Sequence, residues 1–139
     1  VTGARRRMPG EDLILQEFVE PASIADRRGW FRILYACGRV IPCWWDDQTR
    51  RYGPAVSHEE RERLGLLPLW SIAETAARIS GLQLFSTEVG LVDDGRFIVV
   101  DYVNDPVDLR FQPHALEGMP SEVARAVADS MAAYLAAQP

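Results

Sequence analysis

Residues 86–105 read STEVGLVDDGRFIVVDYVND, two β-prone runs separated by Asp94-Gly95. An Asp-Gly pair between such runs is a strong short-range hairpin signal, because glycine takes the positive φ that a tight reversal needs. The expected strands cover about 82–92 and 96–103. If Asp94-Gly95 alone forms the loop, Asp93 faces Arg96 and Glu88 faces Asp101. Two carboxylates then stand about 5 Å apart at Cβ, which is destabilising unless something cationic lies between them. If Asp93-Asp94-Gly95 is a three-residue loop, the register moves by one and Glu88 no longer faces Asp101.

The remaining elements are ordered around this hairpin. Residues 1–12 are polar, with Gly3, Pro9 and Gly10, and read as a flexible lead-in. Leu13 to Val19 is a short apolar run read as a strand. A charged loop follows over 20–29, then a hairpin over 30–36 and 39–45 broken at Gly38-Arg39. Asp46 to Pro54 reads as a loop. Ser57-His58-Glu59-Glu60 has the pattern of a capping box and opens a short helix. Pro68 opens a second helix that Gly81 stops, with Leu69, Ile72, Ala73, Ala76 and Ile79 as its apolar stripe. Residues 104–119, with Pro106 and Pro113 inside and Pro120 just beyond, read as irregular; a last helix over about 120–136 turns Val123, Val127, Met131, Tyr134 and Leu135 inward. Antiparallel hairpins with helices packed on one face describe an α+β domain, over 13–136 as a single unit. Strands and helices do not alternate singly, so a doubly wound parallel sheet is not expected.

Composition narrows the chemistry. The chain has 139 residues, is 47% hydrophobic and 25% charged, and carries a net charge of −5. A packed core follows, and nucleic acid is not an expected partner. No apolar run approaches the roughly 18 residues of a membrane span, so no membrane partner is expected either. All fifteen basic residues are arginine, which excludes Schiff-base chemistry, a lysine general base and a Walker lysine within these residues. Cys37 and Cys43 lack His or Cys partners at zinc-site spacing and read as reduced thiols. With no signal peptide, a cytoplasmic location is the expectation. The first residue is Val1 rather than Met, so a fragment or processed product is expected.

The acids of the hairpin suit a hard divalent cation, since Mg²⁺ takes one or two carboxylates and fills its shell with water and phosphate oxygens. Glu88, Asp101 and Asn104 form the candidate metal set. Solvated acids on an exposed hairpin face are the plainer alternative. Asn104 lies three residues from Asp101, so a straight strand points the two to opposite faces. A bulge or strand end near Tyr102-Val103 is required to bring both to one ion.

LILQEFVEPA, then GWFRILYACGRVIP, a helix, and GLVDDGRFIVVDYVNDP together resemble the C-terminal half of an ATP-grasp domain, nearest to the ribosomal-protein glutamate ligase and glutathione synthetase type. The resemblance covers about 13–136. It implies a nucleotide-cleft wall of an ATP- and Mg²⁺-dependent carboxylate–amine or carboxylate–thiol ligase that works through an acylphosphate. Gln16, Glu17, Phe18 and Val19 resemble the adenine hinge, with strand-core packing as the alternative for Phe18 and Val19. Glu88, Asp101 and Asn104 match the Mg²⁺ ligands. Arg32 matches an arginine that meets substrate or phosphate; a strand-face salt bridge is its alternative. The implied partners are a nucleotide, a small-molecule or peptide carboxylate, and the N-terminal ATP-grasp half, which these residues lack; self-association is a further possibility. The isolated chain is expected to be inactive.

The sequence also departs from that pattern. Trp30 stands where the family has an acid that often contacts ribose, with Asp26 or Glu20 as substitutes. The family's E-x-N becomes D-Y-V-N, one residue longer. Its phosphate-facing arginine falls near Trp44-Trp45, leaving Arg50 or Arg51 as replacements. Of the two tryptophans, strand alternation makes one core and the other half exposed. His58 and His114 read as structural or surface residues. These departures favour the alternative function, a non-catalytic binding or dimerisation module derived from the same fold half.

Overall fold

The computed structural model describes residues 16–104 and 106–138, and the side chains of all of these except 102–104. The lead-in at 1–12 and the start of the first expected strand lie outside them. Residues 16–19 are not in a strand.

A two-stranded ribbon comes first, β1 (Ser23–Ile24) and β2 (Arg27–Arg28). The main sheet is antiparallel and five-stranded: β3 (Trp30–Ala36), β4 (Arg39–Asp46), β5 (Arg51–Ala55), β6 (Leu84–Leu91) and β7 (Phe97–Asn104), in the spatial order β5-β4-β3-β6-β7. Helices α1 (His58–Arg63) and α2 (Pro68–Ser80) lie between β5 and β6, and α3 (Ser121–Ala136) closes the chain. No helix among the described residues is long and apolar enough to cross a membrane.

Local chemistry explains the boundaries. Cys37 and Gly38 both take positive φ, 48° and 92°, so the β3–β4 hairpin turns in two residues. The capping box closes in both directions: Glu60 N–H donates to Ser57 Oγ at 3.1 Å, and Ser57 N–H donates to Glu60 Oε2 at 2.9 Å. Gly81 ends α2 at φ 72°. The stretch expected to be a loop up to Pro54 instead contains β5. Gly53 and Pro54 hide it in the sequence, yet proline is tolerated at a sheet edge, and β5 is an edge strand.

Helices cover both faces of the sheet, which corrects the one-face expectation. The central strands are apolar on both sides: β3 has the burial order of a strand shielded front and back, with only Arg32 and Tyr35 less than fully buried. Phe31, Ile33 and Val89 point to one side and pack with Leu66, Leu69 and Ala73 beneath α2. Leu34, Ala36, Ile41 and Cys43 point to the other and pack with Met119, Val123 and Val127 of α3 and its lead-in. The inward stripe of α2 is Leu69, Ala73 and Ala77, while Ile79 is 79% exposed. On α3, Val123 and Val127 are buried, whereas Leu135 and Tyr134, expected inside, are exposed.

Candidate functional site: an acid–arginine rung across the sheet

Strand pairing brings four residues into one lateral row on the α3 face. Cys43 pairs with Arg32, Arg32 with Glu88, and Glu88 with Asp101. Neighbouring strands lie about 4.8 Å apart, so Glu88 has a cation on one flank and a second acid on the other. The Arg32 guanidinium donates from Nη1 to Glu88 Oε1 at 3.1 Å and from Nη2 to Ser86 Oγ at 3.2 Å. Its face lies on the Trp45 ring, 4.9 Å from the centroid, with Tyr52 at 5.9 Å. Arg32 Nε is buried and finds no acceptor among the described residues. The other Glu88 oxygen, Oε2, accepts from Trp30 Nε1 at 3.2 Å. Arg32 therefore forms the strand-face salt bridge that was its alternative reading, and it offsets the repulsion between the two acids.

The register beneath this row is irregular. The turn uses three residues, Asp93 to Gly95: Val92 N–H donates to Arg96 O at 3.0 Å, and Leu91 pairs with Phe97. That register alone would separate Glu88 from Asp101. Val89 pairs with Val99, however, and Glu88 with Asp101, so β7 carries one extra residue at Val100. A second shift follows, because Ser86 pairs with Asn104, so β7 again holds one residue more than β6. Thr87, left without a ladder partner there, donates its hydroxyl to Asp101 O at 2.5 Å. Ser86 and Glu88 share a face of β6. The positions opposite them, Asn104 and Asp101, thus come to the same face despite their odd spacing. The side chain of Asn104 lies outside the described residues.

The hinge-like stretch ends beside the same face. Gln16 Nε2 donates to Val100 O at 3.2 Å, next to the first bulge. Val19 packs over Gly90, where a Cβ would come within 3.2 Å of Val19 Cγ1 and 3.3 Å of the Trp30 ring. Glu17 is exposed, and Phe18 is 82% exposed, so Phe18 is not a core residue. These residues and the β6–β7 turn enclose a cavity of about 340 Å³ lined by Glu17, Phe18, Val19, Asp93, Arg96 and Ile98.

Trp44 and Trp45 do face opposite sides, but both are buried, at 4% and 6% exposure. Trp44 donates to Glu60 Oε1 at 3.1 Å and ties β4 to α1; Trp45 stacks edge-on to Tyr52. Arg50 sits in the β4–β5 turn at φ 58°, and Arg51 is exposed beside a separate cavity of about 500 Å³. His58 meets Arg61 at 2.9 Å, and His114 lies edge-on to Phe111. Burial pushes the Cys43 thiol up to about 12, with Glu122 adding to the effect. Tyr52, under the guanidinium of Arg32, is raised by burial, and Arg32 opposes that rise.

Two residues of the site were missed by reasoning from sequence. Trp30 was marked only as a departure, and Ser86 not at all. Their alternation with Phe31 and Thr87 put them on the face of Arg32 and Glu88, but the β3–β6 pairing that brings them together is non-local. Among the described residues no group of three or more His, Cys, Asp or Glu side chains is placed to hold a metal. Comparison with protein-family models, with curated proteins and with solved structures found no match to this chain.

Proposed function

We propose that this chain forms one wall of the nucleotide cleft of an ATP- and Mg²⁺-dependent ligase that joins a carboxylate to an amine or thiol. The observation that carries the reading is the doubly irregular β7. It sets Glu88, Asp101 and the register position of Asn104 on one face, and so absorbs the extra residue that separates D-Y-V-N from the E-x-N spacing. Three facts support it further. Arg32 occupies the same row, the hinge-like Val19 closes over the same face at Gly90, and a cavity lies between that stretch and the turn.

The donor set fits a hard cation in kind: two carboxylates directly opposed, with an amide at the next paired position. Glu88 and Asp101 would hold Mg²⁺ there. ATP with Mg²⁺ would supply the phosphoryl group that activates the substrate carboxylate. This chain's own residues do the rest of the work on its side of the cleft. Arg32 holds a fixed positive charge that is stacked on Trp45 and cannot swing far. Its Nε–H is buried and has no acceptor among the described residues. Trp30 and Ser86 keep Glu88 and Arg32 in place, and α3 keeps water from the apolar half of the face. The second half of the phosphate clamp belongs to an N-terminal partner domain.

One observation favours the non-catalytic module instead: both Glu88 oxygens already accept hydrogen bonds, one of them from an arginine. A titration separates the two readings. Trp30 and Trp45 flank the row, so Mg²⁺ with ATP should change tryptophan fluorescence saturably in the ligase, and Asp101→Asn should abolish the change. A flat response in a protein that carries both halves of the cleft would leave the binding-module reading standing.

A further inference from the structure

We propose that residues 106–112 form a strap across the polar row of the α3 face, and that opening this strap is what gives access to Arg32 and Glu88. The inference goes beyond the ligase reading and does not rest on it, since it concerns how the row is covered and not what binds there. Helix α3 packs over Leu34, Ala36, Ile41 and Cys43, and the polar half of the face lies beside it. Yet the side chains of Arg32 and Glu88 are only 12% and 20% exposed.

Strand order decides the course of the strap. Asn104 pairs with Ser86 on β6, and Ser86 with Leu34 on β3. At the far edge Gln112 Nε2 donates to Tyr52 O of β5 at 3.1 Å, and Tyr52 pairs with Trp45. Ser86 and Leu34 lie two residues to one side of Glu88 and Arg32, whereas Trp45 lies two residues beyond Cys43, to the other side. The chain thus leaves one edge of the sheet on one side of the row and reaches the opposite edge on the other side. Its line crosses the row near the middle strand, at Arg32. With β7 and β5 at opposite edges of the sheet and neighbouring strands ~4.8 Å apart, the diagonal is about 23 Å. The chain from Asn104 to Gln112 reaches at most about 27 Å, so it crosses almost taut. Val107 packs against the apolar cluster that holds Trp45, Tyr52 and Met119. The Asp108 carboxyl is held below its usual range by its bonds to Arg110 first, with the charge of Arg32 adding to the effect. It therefore stands within electrostatic reach of the guanidinium beneath.

The attachment of the strap is slight. Within 106–112 Val107 is half-buried and the others are exposed. Asp108 and Arg110 pair with each other rather than with the sheet. Among the described residues, the bond from Gln112 to Tyr52 O is the only side-chain hydrogen bond from the strap to the sheet. The far end, by contrast, is fixed: Met119 is 1% exposed, Phe111 bridges to it, and its N–H donates to Arg110 O at 2.9 Å. A segment with few buried contacts opens locally at a small cost beside that of the core. Released at Gln112, the strap turns about the Phe111–Met119 bridge and uncovers Arg32.

The test is modification of the folded chain by phenylglyoxal, which reacts with guanidinium groups, each site being read by peptide mass spectrometry. Arg96, whose side chain is 69% exposed, is the internal reference. Arg32 should react slowly beside Arg96, at a rate that urea below the unfolding transition leaves unchanged. Gln112→Ala should raise the Arg32 rate about two- to tenfold, the worth of one hydrogen bond, and leave Arg96 as it was. An Arg32 rate that Gln112→Ala does not change, or one that climbs with urea as global unfolding does, overturns the strap. So does an Arg32 that reacts as fast as Arg96 in the wild type, because the row would then stand open. If Gln112→Ala does not fold, the urea dependence of the wild type decides alone. None of these outcomes involves Mg²⁺ or ATP, so a failed nucleotide titration leaves the strap untouched.

Discussion

The two faces of the five-stranded sheet are made by the same strands and closed in different ways. On the α2 face, Phe31, Ile33, Leu69, Ala73 and Val89 are fully buried and form a continuous apolar core. On the α3 face, the helix seals only the half over Leu34, Ala36, Ile41 and Cys43. The other half carries Trp30, Arg32, Ser86, Glu88 and Asp101, joined by ion pair and hydrogen bonds. One face therefore supplies stability. The other carries on part of its area a polar row whose members hold one another through an ion pair and hydrogen bonds.

The sharpest way to test the division is to damage the dry face. Phe31→Ala should cost about 3–5 kcal/mol, read by denaturant unfolding. Among molecules that remain folded, Mg²⁺ affinity should be unchanged. A selective loss of Mg²⁺ binding would show that the faces are not independent.

Alkaline pH probes the sealed half of the α3 face. The Cys43 thiol is raised from 9.0 to about 12 by burial first and by Glu122 second. Below pH 9 both folded and unfolded chains keep the proton. Between pH 9 and 12 only the unfolded chain loses it, so stability should fall across that window and Cys43→Ala should flatten the fall. In the same samples Cys37, which is only partly buried, should react with thiol reagents well before Cys43 does. Equal rates would mean that α3 does not seal this half.

The polar half is tested by Arg32→Met. It removes the cation between two structural partners and leaves Glu88 beside Asp101 with no counter-charge. The pair is partly buried, so a loss of about 1–3 kcal/mol is expected, with much of it restored by millimolar Mg²⁺. Loss without rescue would mark a purely structural salt bridge. The smallest effect should come from Asp101→Asn, which relieves a like-charge pair and should stabilise the isolated chain by about 0.2–1 kcal/mol. A marked destabilisation would mean that Asp101 carries a structural bond of its own.

Much of the fold was legible because it is written locally. The Cys37–Gly38 turn, the Ser57–Glu60 box, the Gly81 stop and the Asp94-Gly95 reversal each depend on residues within one turn of each other. β5 was not legible, since its Gly53 and Pro54 read as breakers and only an edge position excuses them. The second covered face was missed because helix–sheet packing is decided by α3, far along the chain. For the site, the Glu88–Asp101 pairing was reached through a two-residue loop, whereas the actual loop has three residues and a bulge at Val100 restores the pairing. The need for a second irregularity before Asn104 did follow from strand geometry. What the strand pattern could not give was Arg32 between Trp45 and Glu88, because that requires knowing which distant strands become neighbours.

The central claim is that Glu88 and Asp101 form a divalent-cation site on the polar half of the α3 face. Paramagnetic Mn²⁺, added in substoichiometric amounts to the ¹⁵N-labelled chain, tests it most directly. Broadening should centre on the amides of Glu88, Asp101 and Arg32, and should vanish in the Glu88→Gln, Asp101→Asn double variant. Broadening centred instead on Asp46 and Asp47 at the β4–β5 turn, or spread evenly over the exposed acids, would contradict the account.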